Sequence, residues 1–209
     1  IKNGDVIVRE ISSSKITEAV KRLFLKANVY LTDDIKSCII DCEKKESSSV
    51  GKNILNNLVL NYKSAENKNI PICQDTGMAV IFAEIGQDVH ISGELFEDAV
   101  NEGVRQAYDV GYFRKSVVSD PLERKNSGDN TPAVIYTKIV GGDKISLSVM
   151  PKGFGSENMS RIKMLNPSEG EDAIVDFVKE TVCIAGGKPC PPLVIGVGIG
   201  GTFDYAAVL

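Results

Sequence analysis

The chain has 209 residues, of which 43% are apolar and 25% charged, with a formal net charge of −4. This is the balance of an ordinary water-soluble protein with enough apolar side chains for one large core or two small ones. The acidic sign argues against a nucleic-acid partner, and no apolar run approaches the ~18 residues that span a bilayer, so neither nucleic acid nor membrane is expected. The first third reads as helical. Ile16, Val20, Leu23, Phe24 and Ala27 recur at helical spacing after Ser12, Ser13 and Ser14. Ile35, Cys38, Ile39 and Cys42 repeat that spacing after Thr32, and Ile54, Leu58, Val59 and Tyr62 do so after Ser47, Ser48 and Ser49. Residues 61–69 are polar enough to serve as a linker.

From residue 70 the texture changes. The apolar run 78–85 predicts a buried strand ended by Gly86-Gln87-Asp88. Leu95, Phe96, Ala99, Val100, Val104 and Ala107 predict a helix closing at Gly111. Segments 133–140 and 144–150 flank Gly141-Gly142-Asp143 and predict a hairpin with a glycine turn. Ala173, Phe177, Val178 and Val182 predict a helix stopped by Gly186-Gly187, and 193–197 a short strand. The fold class that follows is α/β: a helical N-terminal region, 1–69, and then a mixed β-sheet flanked by helices, the whole of 1–209 forming one domain. The chain opens on Ile1 and stops inside an apparent helix at Val208-Leu209, so it reads as a fragment truncated at its C-terminus.

Two loops carry the chemistry. Cys73 sits in Pro71-Ile72-Cys73-Gln74-Asp75-Thr76-Gly77 and Cys190 in Lys188-Pro189-Cys190-Pro191-Pro192. A core cysteine behaves as a small hydrophobe and needs no rigid collar, whereas a thiolate aimed at a fixed point benefits from one, because proline fixes its own φ and restricts its neighbour. The pair reads as metal or cluster ligands, with an amide, a carboxylate and a hydroxyl beside Cys73. Cys38 and Cys42 lie four apart on an apolar stripe, where core packing is the expected role and chelation from one helix face the alternative. Cys183, inside a helix, is read as a core residue too. Five cysteines do not make a secreted disulfide framework, so a reducing cytoplasm is expected. The single histidine, His90, lies between Val89 and Ile91 and reads as structural, which makes histidine acid–base catalysis an unpromising account of this chain. Gly196-Val197-Gly198-Ile199-Gly200-Gly201 fits a dinucleotide-binding glycine pattern if a strand precedes it and a helix follows.

Taken in order, Ile72 to Gly77, Arg114-Lys115-Ser116, Asn126 to Pro132, Pro151 to Asn158, Pro189 to Pro192 and Gly196 to Thr202 resemble the alpha subunit, or N-terminal domain, of class I fumarase and its relative L(+)-tartrate dehydratase. The resemblance covers nearly the whole chain. It implies a hydro-lyase with a [4Fe–4S] cluster, held by three cysteines so that one iron stays open to a small dicarboxylate substrate. By match of motif, Cys73 and Cys190 are two of the ligands, and the third lies beyond Leu209. Gln74 and Asp75 match residues flanking the substrate, with Asp75 as the catalytic candidate. Arg114 matches an arginine that grips a substrate carboxylate, and Gly155 matches backbone lining the same pocket. The part from 70 to 209 then bears the cluster and the substrate. The implied reaction is hydration of fumarate to (S)-malate, with tartrate dehydration to oxaloacetate and a non-catalytic cluster-binding module as rivals. The implied partners are a beta subunit or C-terminal domain, in a homo- or hetero-oligomer.

Overall fold

A computed structural model describes residues 8–190 and 192–209. The chain is α/β and separates into two compact units, one ending at Lys152 and the other spanning Gly153–Leu209. In the first, a short strand β1 (Arg9–Ser12) leads into helices α1 (Ser13–Val29), α2 (Asp33–Lys45) and α3 (Ser49–Lys68). Each helix begins where the sequence places a small hydroxyl residue. At α3 that residue caps directly, Ser48 Oγ accepting from the Gly51 N–H at 3.4 Å. Asp33 and Asp34 open α2 and Lys44 and Lys45 close it, which suits the helix dipole.

Residues 61–69 are not a linker. They continue α3 to a left-handed cap at Asn69, because Tyr62 and Ala65 are buried while Asn61, Lys63 and Lys68 occupy the exposed side. Ile39, Val59 and Tyr62 form a small core between α2 and α3, with Lys36 and Glu66 paired at 2.5 Å beside it. Ile39 is the one buried residue of α2. The expected core stripe therefore narrows to Ile39 with Ile35 half-buried beside it, and Cys38 and Cys42 are exposed rather than packed.

The strands β2 (Met78–Gly86), β4 (Val134–Val140) and β5 (Ile145–Lys152) form one sheet in the order β4-β2-β5. β2 runs parallel to β4 and antiparallel to β5, Val80 facing Val134 on one side and Met150 on the other. The expected 133–150 hairpin is therefore absent: its two strands exist, but β2 lies between them. An apolar strand with both edges to satisfy gains two ladders from the centre. The connection after β4 passes over the end of β2, where Gln87 N–H bonds the Val140 carbonyl and Gly86 N–H the Lys144 carbonyl, both at 2.8 Å. A Cβ on Gly86 would stand 2.4 Å from the Gly142 carbonyl oxygen, so this crossing requires glycine. β3 (Val89–Ser92) pairs with β1 in parallel, and His90 on it is exposed.

Helix α4 (Phe96–Val110) ends at Gly111 as expected. It packs with α1 on one face of the large sheet. Val20, Phe24, Val100, Val104, Ala107 and Tyr108 are fully buried there with Ala79 and Ile81 of β2. Each such aliphatic or aromatic side chain contributes roughly 1.5–3 kcal/mol by leaving water. The opposite face carries Phe82 stacked on Tyr136, centroids 5.0 Å apart.

The second unit holds a one-turn helix α5 (Phe154–Glu157), a 3-10 turn (Pro167–Glu169), helix α6 (Gly170–Ala185) and a final 3-10 turn (Tyr205–Ala207). α6 stops at Gly186 as expected, but Cys183 on it is exposed, since Ala185 is its one buried residue. Residues 193–197 form no strand among the described residues. With no neighbouring strand among the described residues of this unit, their amides have no ladder to join. The glycine run at 196–201 accordingly lacks the strand and long helix that a dinucleotide site needs.

Candidate active site

The loop from Asn69 to Gly77 joins α3 to the start of β2, the central strand. Its first part is fixed before the cysteine is reached, through both backbone groups of Ile72. Ile72 N–H donates to the Asn28 carbonyl at 3.0 Å, and Asn61 Nδ2 donates to the Ile72 carbonyl at 2.7 Å. Cys73 follows, half-buried. Its Sγ accepts from the Asp75 N–H at 3.4 Å and lies 3.3 Å from Gln74 Oε1. An N–H aimed at sulfur tunes a metal bound to it. Asp75 Oδ1 accepts from the Gly77 N–H at 3.0 Å, a tight local turn that orients the carboxylate. Gly77 has φ +68, and a Cβ there would stand 2.5 Å from the Lys152 carbonyl carbon.

Two buried side chains that the sequence reading did not single out hold this loop. Tyr108 Oη donates to the Thr76 carbonyl at 2.7 Å, and burial pushes its phenol pKa well up, so the group stays a donor. Asn130, with no exposed surface and φ +65, donates from Nδ2 to the Gly77 carbonyl at 3.1 Å. Its Oδ1 accepts from the Ser116 and Val117 N–H groups at 2.8 and 3.2 Å. Thr76 Oγ1 adds a bond to the Arg114 carbonyl at 3.0 Å. The segment bearing Cys73, Gln74 and Asp75 is thus tied to the segment bearing Arg114. Gln74 and Arg114 are exposed, and Asp75 is half-buried. A signal for Tyr108 was available: it extends the apolar stripe of Val100, Val104 and Ala107 with a polar tip. Asn130 belongs to the Asn-Thr-Pro turn, and asparagine tolerates the left-handed region better than most residues.

Behind Asn130, Asp129 accepts from Thr131 N–H and Oγ1 at 3.0 and 2.7 Å and from Arg105 Nε at 3.0 Å. Partial burial pulls its pKa up. The Thr131 bonds, then Arg105, overcome that and hold it at about 2. Arg105 also bonds Glu102, completing an ion network that fixes this turn.

In the second unit Gly155 is exposed, and its α-carbon lies close to the chain before Cys190: a Cβ there would stand 3.2 Å from the Lys188 carbonyl oxygen. Cys190 is exposed. The predicted residues thus fall into two groups, Cys73, Gln74, Asp75 and Arg114 in the first unit and Gly155 with Cys190 in the second. Cys73 fits a ligand role by its partly open thiol and the amide facing it. Among the described residues no three histidine, cysteine or acidic side chains are gathered to hold a metal ion.

Residues 17–209 match the pattern of the family described as fumarate hydratase (Fumerase). The chain belongs to that family. A protein of Methanocaldococcus jannaschii with the provisional name L(+)-tartrate dehydratase subunit alpha is 43% identical, over 93% of this chain and 70% of its own. The L(+)-tartrate dehydratase subunit alpha of Escherichia coli strain K12 is 32% identical, over 94% of this chain and 65% of its own. The chain thus spans about two thirds of the length of these relatives, and the hydro-lyase class follows from the family and their names. No helix among the described residues is long and apolar enough to cross a membrane.

Proposed function

We propose that this chain is the cluster-bearing part of an iron–sulfur hydro-lyase that adds water to fumarate reversibly, giving (S)-malate. The observation that carries this reading is the loop from Cys73 to Gly77, rigidly held beside Arg114 in a chain of the fumarate hydratase family. Cys73 and Cys190 supply two of the three thiolates for a [4Fe–4S] cluster, and the third comes from outside this chain. When bound, such a group supplies a Lewis-acidic iron that stabilises negative charge developing on substrate oxygen during C–O cleavage. This chain's own residues bind and orient. The planar guanidinium of Arg114 pairs with one substrate carboxylate through two parallel hydrogen bonds. Gln74 donates its amide to a substrate oxygen, Asp75 holds or moves a proton at its carboxylate, and Gly155 lets backbone approach the ligand. All residues from 1 to 209 serve this one site as a single functional domain. The complete protein includes a beta subunit or C-terminal domain and assembles as an oligomer, in a cytoplasm that keeps its thiols reduced. A second reading, dehydration of L(+)-tartrate to oxaloacetate, is favoured by the names of the relatives.

The test uses the complete protein purified without oxygen. Cys73→Ser and Cys190→Ser are each expected to lose the visible absorbance of the cluster and turnover on both substrates. Retained iron and activity in either variant overturns the assignment. In the unaltered protein, the ratio of kcat/KM for fumarate and for L-tartrate decides between the two reactions.

A further inference from the structure

Cys38 and Cys42 are both exposed, and the hydro-lyase reading uses neither. Four positions apart on α2, they project from the same side of one helix, where Cβ atoms lie ~5–6 Å apart. They flank Ile39, the residue that fixes α2 against α3, so the backbone presenting them is held in place. The two thiols interact: Cys38 is held above its ordinary pKa first by the electrostatic effect of Cys42 and then by their hydrogen bond. Core packing, the usual reason for a cysteine on an apolar stripe, does not account for either.

We propose that Cys38 and Cys42 form a two-coordinate site for a soft monovalent cation of the Cu(I) class. Thiolates select soft ions, and among the described residues no third histidine, cysteine or acidic side chain is gathered with them to complete the tetrahedral set that zinc requires. Binding exchanges two thiol protons for one cation, leaving a bis-thiolate centre with a net charge of −1. Of the charged neighbours whose fields act on Cys38, Lys45 favours that negative charge and Asp41, the larger of the two, opposes it. Because protons compete with the metal, affinity rises with pH. The proposal is independent of the cluster reading, since it involves neither Cys73 nor Cys190.

The experiment titrates the complete, reduced protein without oxygen, using Cu(I) held by a chromophoric chelator. The readout is the number of copper equivalents withdrawn. Unaltered protein is expected to withdraw one equivalent more than Cys38→Ser or Cys42→Ser, and Cys183→Ser to match the unaltered protein. Far-ultraviolet circular dichroism checks that α2 persists, and Cys38→Ala and Cys42→Ala replace any serine variant that loses helix. Equal uptake by the Cys38, Cys42 and unaltered proteins overturns the proposal, as does an equal loss in Cys183→Ser.

Discussion

Asn130 ties three loops together, and its replacement measures how firmly the Cys73 loop is held. Asn130→Ala removes three hydrogen bonds from a side chain with no exposed surface. The Gly77 carbonyl keeps the Tyr108 hydroxyl at 3.2 Å, so the groups left without a partner are the Ser116 and Val117 amides. Each buried orphan costs about 1–3 kcal/mol. An alanine at φ +65 adds about 1 kcal/mol, because asparagine enters the left-handed region more readily. The expected loss is therefore about 3–7 kcal/mol, a fall in Tm of roughly 6–28 °C for a chain of this size. Thermal and urea unfolding followed by tyrosine fluorescence measures it, as the chain has no tryptophan.

Asn130→Asp is the sharper variant. It keeps an oxygen for the two amides but turns the donor that faced the Gly77 carbonyl into a second acceptor. Burial and that carbonyl raise the new carboxyl above its unfolded pKa of about 3.9. Below both values the neutral acid donates to Gly77 in place of the amide. As pH rises through the folded value, that stabilisation is lost. The deficit relative to the unaltered protein is thus expected to be small near pH 4 and to grow toward pH 7. An equal deficit at both, or a loss under about 1 kcal/mol for Asn130→Ala, refutes the buried network.

Asp129, held at about 2 against an unfolded value of 3.8, stabilises the fold above that upper value and loses the contribution as pH falls toward 2. Asp129→Asn should flatten the acid limb of stability in that window, and urea midpoints that fall as steeply as in the unaltered protein would contradict it. Gly77→Ala should cost about 2–5 kcal/mol, combining left-handed strain with a clash against the Lys152 carbonyl. Hydrogen exchange should quicken first where Met78 pairs with Lys152, and an unchanged melting curve would show that this crossing is slack.

Local signals made most of the helices legible. α1, α4 and α6 carry apolar residues at helical spacing between hydroxyl or acidic starts and glycine or extended ends, and they form as read. Strand partners were not legible, because the glycine turn after Val140 says that the chain reverses but not whether another strand lies in the gap. The same limit explains 193–197, an apolar segment that reads as a strand and finds no neighbour in its unit. At the candidate site, Cys73 and Arg114 stand out by residue type. Tyr108 shows locally only as a polar tip on the apolar stripe of α4, and the backbone groups that it and Asn130 bond lie far away in sequence, so no local pattern displays those partners. Cys38 and Cys42 failed the other way, since an apolar stripe predicts burial only if something packs along its whole width.

The order β4-β2-β5 also sets a schedule for synthesis. β2 is the most apolar strand of the sheet, and both its partners lie further along the chain, Val80 meeting Val134 and then Met150. A nascent chain therefore carries Met78–Gly86 with two bare edges until Val140 has left the ribosome, and with one until Lys152 has. Long-range pairings of this kind form slowly, and an unpaired apolar strand is where chains join one another by mistake. α1 and α4, already made in large part by then, can shelter one face of β2 but neither edge. Slower elongation between residues 86 and 152 should accordingly lower soluble yield more than the same delay placed after residue 152.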